Sequence, residues 1–217
     1  MFKGLRAWWR GLRHLNHRGY IYIWGNILWF VLSLPLITAP AAWAGLMRLS
    51  HTAYHDPGVT LDAFWEGFRE HWKAGIGIAL FNGVLLLMTT VNLSSTRDQV
   101  GFGIDLLRAM WILSVVLALT IQLYMWPIYY SMEQPNIRGA LRNAAVMLWL
   151  EPAFTLGLWI GIVLVLLFST VFVVAWLLIA GSALASIANS AVIDRLAAAG
   201  YRTPIVSADE NVPEFIE

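Results

Sequence analysis

The chain has 217 residues, 59% of them hydrophobic and 12% charged, with a formal net charge of +1. Soluble domains average about 45–50% apolar and about 25% charged residues, so the composition excludes an ordinary water-soluble globule and leaves room for one membrane domain. With no cysteine in the sequence, disulfides, thiolate chemistry and cysteine-ligated metal are excluded.

Residues 2–18 place Phe2, Leu5, Trp9 and Leu12 on one helical face and Lys3, Arg6, Arg10, Arg13 and His17 on the other. This pattern predicts an interfacial helix on anionic lipid. Ala42-Trp43-Ala44 resembles a leader-cleavage site. The basic segment before it and the apolar run are both longer than a signal peptide requires, and retention is expected.

Uncharged stretches then cover residues 19–47, 74–95, 109–132 and 153–193. In lipid every backbone polar group needs an internal partner, so these become helices. The last stretch is forty-one residues; as one helix it would be roughly 61 Å long, about twice the thickness of a bilayer core, so it predicts two crossings. The first holds Pro35 and Pro40. Proline opens helices well and continues them badly, so either one kinked span or a hairpin with Pro40 starting the return helix results. Charge selects the hairpin. It puts twelve of the fourteen Lys and Arg residues on one side and leaves only Arg97 and Arg108 on the other, as the positive-inside rule favours.

The expected fold is an all-α polytopic membrane bundle of about six crossings, with both termini cytoplasmic. Its spans are 20–38, 40–55, 74–94, 106–131, 153–173 and 176–194. The second is at the lower length limit and is either a span or re-entrant. The joint between the last two falls near residues 171–176, where no turn residue marks it. Residues 19–195 form the membrane domain, 1–18 the interfacial helix, and 196–217 an acidic tail without fixed structure.

Two further cytoplasmic helices are predicted. Over 60–73, Leu61, Phe64, Trp65, Phe68 and Trp72 share a face. Over 136–147, Asn136 is the cap and Arg138 and Arg142 are the charges. Together they make a candidate docking surface. Gly157-x-x-x-Gly161 predicts close helix approach, within the monomer or at a homodimer seam.

Chemistry is sparse. There is no H-E-x-x-H, no phosphate-cradling glycine loop and no G-x-S-x-G. Ser182, in Gly181-Ser-Ala, lacks an activating histidine, so the chain is read as non-enzymatic and without a cofactor. His51 and His55 have metal-ligand spacing, with Asp56 beside them but no assured third ligand, and no metal is expected. Apart from the short 40–55 segment, which holds Arg48, no span carries a charge near its middle, which argues against a pump or coupled transporter acting alone. Asp105 and Arg108 have pairing distance on a helix. Asn26, Asn82, Gln122 and Asn189 are the polar intramembrane candidates, read first as interhelical hydrogen bonds and second as the lining of a polar-solute path. The bilayer is the expected partner, and nucleic acid is not.

Several segments carry a resemblance. They are Gly25-Asn26-Ile-Leu-Trp29, Leu34-Pro35, the Pro40-Ala-Ala helix start, the Phe64, Phe68, Trp72, Lys73 series, the Leu-Arg-Asn-Ala run at 141–144, and the Glu151-Pro152 junction, where asparagine is common instead of glutamate. Over residues 19–195 the chain resembles the YesL-like family of bacterial integral membrane proteins, built on domain of unknown function 624. The resemblance implies a non-enzymatic accessory or regulatory role beside carbohydrate uptake, with permease and ATPase subunits of an ABC system as partners. The alternative is a small permease for a sugar or other polar solute, using Asn82 and Gln122. The resemblance implies no catalytic residue.

Overall fold

The computed structural model describes residues 1–201, so the acidic tail from 202 onward lies outside the described residues. Within them the chain is helical, with no strand. The helices are α1 (Phe2–His17), α2 (Gly19–Ser33), α3 (Ala39–His55), α4 (Asp62–Ser95), α5 (Phe102–Ser131), α6 (Ile137–Leu150), α7 (Pro152–Val171), a single turn α8 (Val173–Ala175), a π-helical turn (Trp176–Ala180) and α9 (Gly181–Ala198).

Four helical stretches are long and apolar enough to cross a bilayer: α4, α5, α7 and the π turn continued by α9. The first apolar stretch is the Pro-broken hairpin, not one kinked span. α2 ends at Ser33 and α3 begins at Ala39, with Pro40 in its first turn. Between them Leu36 takes a left-handed φ of 57°, and the Thr38 hydroxyl donates to the Leu32 carbonyl. At 15 and 17 residues, α2 and α3 are roughly 22 and 25 Å long, short of a core about 30 Å thick. The hairpin turn lies beside the middle of α4: Ala39 and Pro40 line the same cavity as Asn82. Asn82 is thirteen residues short of the end of α4 at Ser95, roughly 20 Å along the helix. Two such arms leave the chain on the side it started from whether they cross or turn back, so the hairpin does not alter the parity of the six-crossing reading.

Three expectations are corrected. Segments 60–73 and 74–94 are one 34-residue helix, α4, because no proline interrupts it and Gly75 is used for packing. A Cβ on Gly75 would stand 2.8 Å from the Ala41 backbone nitrogen, so α3 sits directly on α4. Second, α1 is not only a surface helix. Gly4, Ala7, Gly11 and His14 form a buried stripe packed on α7 and α9, with Gly4 against the Phe154 carbonyl and Gly11 against the Ile187 backbone. Arg10 pairs with Asp194 on α9. Third, the unmarked joint after α7 is made by a bend at Phe172 and the π turn, and α9 continues to Ala198, four residues beyond the expected end of the last span.

At the centre of the core is α9, whose small residues are packed closely, with Trp126, Tyr22, Tyr124 and Phe64 fully buried on the helices around it. Among the helices with a membrane-length window, its window is the most buried, at 72%, against 11% for α4 and 6% for α5. Lipid tails are as apolar as leucine, so helix association here rests on close backbone approach and hydrogen bonds. The Gly, Ala and Ser residues of α9 permit the first.

Candidate functional site: an indole-walled cavity and a buried polar network

Asn82 on α4 and Gln122 on α5 bond each other twice. Asn82 Nδ2 donates to Gln122 Oε1 at 3.0 Å, and Gln122 Nε2 donates to Asn82 Oδ1 at 2.8 Å. Beside them is a cavity of about 360 Å³, within the range of small-ligand pockets. Four tryptophans from four helices line it: Trp29 (α2), Trp43 (α3), Trp126 (α5) and Trp159 (α7). Trp29 and Trp43 meet edge to face at 6.1 Å. The Trp159 indole N–H donates to the Thr120 hydroxyl at 2.9 Å, which pins that ring. Among the described residues, no charged side chain and no histidine lines the cavity.

Asn26 is fully buried and does a different task. Its Nδ2 donates to the Trp176 and Leu177 carbonyls, and its Oδ1 accepts from the Ser182 backbone N–H, each at 2.8 Å. A π turn displaces backbone groups from their usual partners, and in lipid each must be satisfied within the protein. The Asn26 amide supplies three of those partners. Gly181, packed against the Trp29 ring, brings α2 near enough.

A second polar group lies where α1, α2, α3 and α9 meet. His14 stacks on Tyr54 at 3.7 Å, and its Nδ1 is 3.0 Å from the Tyr22 hydroxyl. Tyr22 reaches Ser50 at 3.1 Å, Tyr54 reaches the Ser186 hydroxyl at 3.1 Å, and Ser186 donates to the Gly11 carbonyl at 2.8 Å. Burial, with the Arg18 charge adding to it, pushes the His14 imidazole down to about 4. The ring is therefore neutral at pH 7 and ties α1 to the bundle. Sequence reading missed this network. The signal was there, since Gly4, Ala7, Gly11 and His14 recur at helical spacing on the face opposite Phe2 and Trp9.

The remaining predicted residues are placed as follows. Asn189 Nδ2 donates to the Ala185 carbonyl at 2.9 Å and lies 3.5 Å from the Met47 carbonyl. Gly157 faces the Met1 carbonyl and Gly161 the Trp8 ring, so this stripe seats α1 inside the monomer. Phe64 is fully buried and Phe68 packs on Gly45; both hold α3 to α4 and are removed from the predicted docking surface. Trp72 is half exposed. Arg138 and Arg142 are exposed on α6, whose Ala140 and Ala144 are buried. Asn136 caps α6, accepting from the Gly139 N–H at 2.6 Å. Arg108 donates to Asp105 at 3.0 Å and also to carbonyls of the α4–α5 loop. His51 and His55 stand together, ring centroids 4.5 Å apart, but among the described residues no group of three or more His, Asp or Glu has metal-binding geometry. The Ser182 hydroxyl donates to the Tyr22 carbonyl at 2.7 Å and has no histidine partner.

These features define an all-α polytopic membrane protein whose short hairpin docks on a long α4. Residues 22–93, which span that hairpin and nearly all of α4, match the model of the family described as "Protein of unknown function, DUF624", the family of the resemblance. No curated protein and no solved structure matches the chain.

Proposed function

We propose that this membrane protein is a non-enzymatic accessory or regulatory component of a carbohydrate uptake system of the ABC type. It sits in a bacterial plasma membrane with both termini in the cytoplasm. The observation that carries the docking part is α6: a capped helix outside the spans, with Arg138 and Arg142 exposed and Trp149 84% exposed beside them. A basic helix with an exposed tryptophan, backed by buried alanines, has the composition of an interface anchor. The carbohydrate part rests on the resemblance alone. The polar-solute permease reading is weaker, because Asn82 and Gln122 spend half their bonding capacity on each other and the cavity beside them is otherwise apolar.

The test is copurification from native membranes. Arg138→Glu with Arg142→Glu is expected to reduce recovery of permease or ATPase subunits, and the wild-type association should weaken with salt, since exposed charges are screened over about 8–10 Å. Undiminished recovery of those subunits with the double variant at low salt refutes docking through α6. Orientation is checked separately with single cysteines in the cysteine-free chain. Impermeant reagent added to intact cells should label Asp98→Cys and spare Pro57→Cys.

A further inference from the structure

The indole-walled cavity has a chemistry of its own, and reading it does not depend on the accessory role. Asn82 lies eight residues into the uncharged stretch that starts at 74, and Gln122 lies thirteen into the one that starts at 109. Both are therefore near mid-membrane. At the cavity rim Leu119 is 47% exposed, on a helix face that meets lipid. A molecule dissolved in the bilayer reaches this opening without crossing water.

The walls select what fits. With no charged side chain in the lining among the described residues, a carboxylate, phosphate or ammonium would be buried without a counter-charge, which a membrane interior strongly disfavours. A free sugar fails for a related reason. Each hydroxyl left without a partner weakens binding by about tenfold or more, and two amides cannot serve a whole ring of them. What the amides do retain is one N–H and one carbonyl lone pair each. A single hydroxyl, donor and acceptor at once, uses both. The indole faces offer broad apolar surface for everything else in the ligand.

We propose that this cavity binds one uncharged lipid-like alcohol, taken laterally from the bilayer, with its apolar body against Trp29, Trp43, Trp126 and Trp159 and its hydroxyl on the Asn82–Gln122 amides.

The experiment uses the full chain in phosphatidylcholine nanodiscs with a long-chain alcohol that carries a mid-chain diazirine. Crosslinks are mapped by mass spectrometry. Saturable labelling is expected in residues 119–126 and 159–166, suppressed by excess unlabelled alcohol and unaffected by glucose. The matching alkane should label this site about tenfold less, as expected for one lost hydrogen bond, and the matching fatty acid, kept ionised at alkaline pH, at least about a hundredfold less, as expected for a buried charge. Leu119→Trp, at the half-exposed rim, should lower the saturable component. Asn82→Leu with Gln122→Leu removes both amides together and should erase the preference of alcohol over alkane, while the melting profile reports that the bundle is intact. Labelling that spreads without competition over the lipid face at residues 84–88 overturns the proposal. So does equal labelling by the fatty acid, or an alcohol preference that survives the double substitution in a folded protein.

Discussion

The α4–α5 pair and the α1–α9 pair are built by opposite rules, although α9 is nearly as apolar as α4 and α5. Outward from Asn82, α4 presents Val84, Leu86, Leu87 and Met88 to its surroundings, and α5 presents Leu106, Met110, Ile112 and Leu113. The pair is held by the Asn82–Gln122 amides and, at its tip, by Arg108 on the loop carbonyls. α9 instead carries Gly181, Ser182, Ala183, Ala185, Ser186, Ala188, Ser190 and Ala191, all buried, with backbones close enough that a glycine on α1 has no room for a Cβ. In lipid a large side chain gains nothing by leaving the tails for a protein interior, whereas a small one lets two backbones meet and lets hydroxyls reach carbonyls. Side-chain size, more than apolarity, separates the lipid-facing helices from the buried one.

Glycine substitution is the sharpest way to break that contrast. A Cβ at Gly11 would lie 2.7 Å from the Ile187 Cα, whereas a Cβ at Gly83 meets nothing within 4 Å. Gly11→Leu is expected to cost more than about 3 kcal/mol, the upper end of ordinary overpacking, because backbone cannot step aside. Gly83→Leu should stay within about 0.5 kcal/mol of wild type, as substitutions away from packed features do. Thermal melting in detergent, with trypsin cleavage in α1 as the local readout, checks both. Equal melting temperatures would remove side-chain size as the organising variable.

The next effect belongs to His14 and concerns only the α1–α9 side. Its folded-state value is about 4 against an ordinary 6.5. Because the shift is downward, the unfolded chain binds the proton first. Stability is therefore fully present above about pH 6.5 and falls as pH drops towards 4. The difference corresponds to about 3 kcal/mol. His14→Phe keeps a ring on Tyr54 and removes the titration. Melting temperature followed from pH 7 to pH 4 should fall more steeply for wild type than for the variant, with α1 becoming protease-sensitive first. Parallel curves would mean that His14 is hydrated in the folded state.

How much of this was legible in the sequence follows from the same contrast. Hydropathy and proline placement located the apolar helices and the hairpin, because the first depends on the bilayer and the second on local backbone sterics, not on which helices pack together. Gly157 and Gly161 announced a close approach, but not that the partner is α1, since the positive face of α1 reads equally well as a surface helix. The face that matters there is marked by absence of bulk, at Gly4, Ala7 and Gly11, which an apolarity count passes over. Segments 60–73 and 74–94 were separated by a change from amphipathic to uniform apolar pattern, although helix geometry is indifferent to that change. Asn26 was legible as a buried amide. Its partner was not, because nothing in Trp176-Leu-Leu-Ile-Ala180 signals a π turn before α2 is packed against it.

The smallest effects compare the two amide sites, one on each side of the contrast. Asn26 serves three backbone groups of a distorted turn that have no solvent to fall back on. Asn26→Leu removes all three bonds, leaves the Ser182 N–H without its side-chain acceptor and should cost about 1–3 kcal/mol. Asn82→Leu leaves only Gln122 without its partner, at a level of the α4–α5 pair that borders an open cavity. Membrane double-mutant cycles put such a side-chain pair near 0.6 kcal/mol, and the double substitution Asn82→Leu with Gln122→Leu, which orphans no amide, should be nearly silent in melting. The expected order in detergent melts is therefore Asn26→Leu lowest, then Asn82→Leu, then the double variant close to wild type. If Asn82→Leu proves as costly as Asn26→Leu, the α4–α5 pair is held by its amides as firmly as α9 is held by its small residues. The asymmetry between a rigid buried core and a loosely joined, lipid-facing hairpin would then be lost.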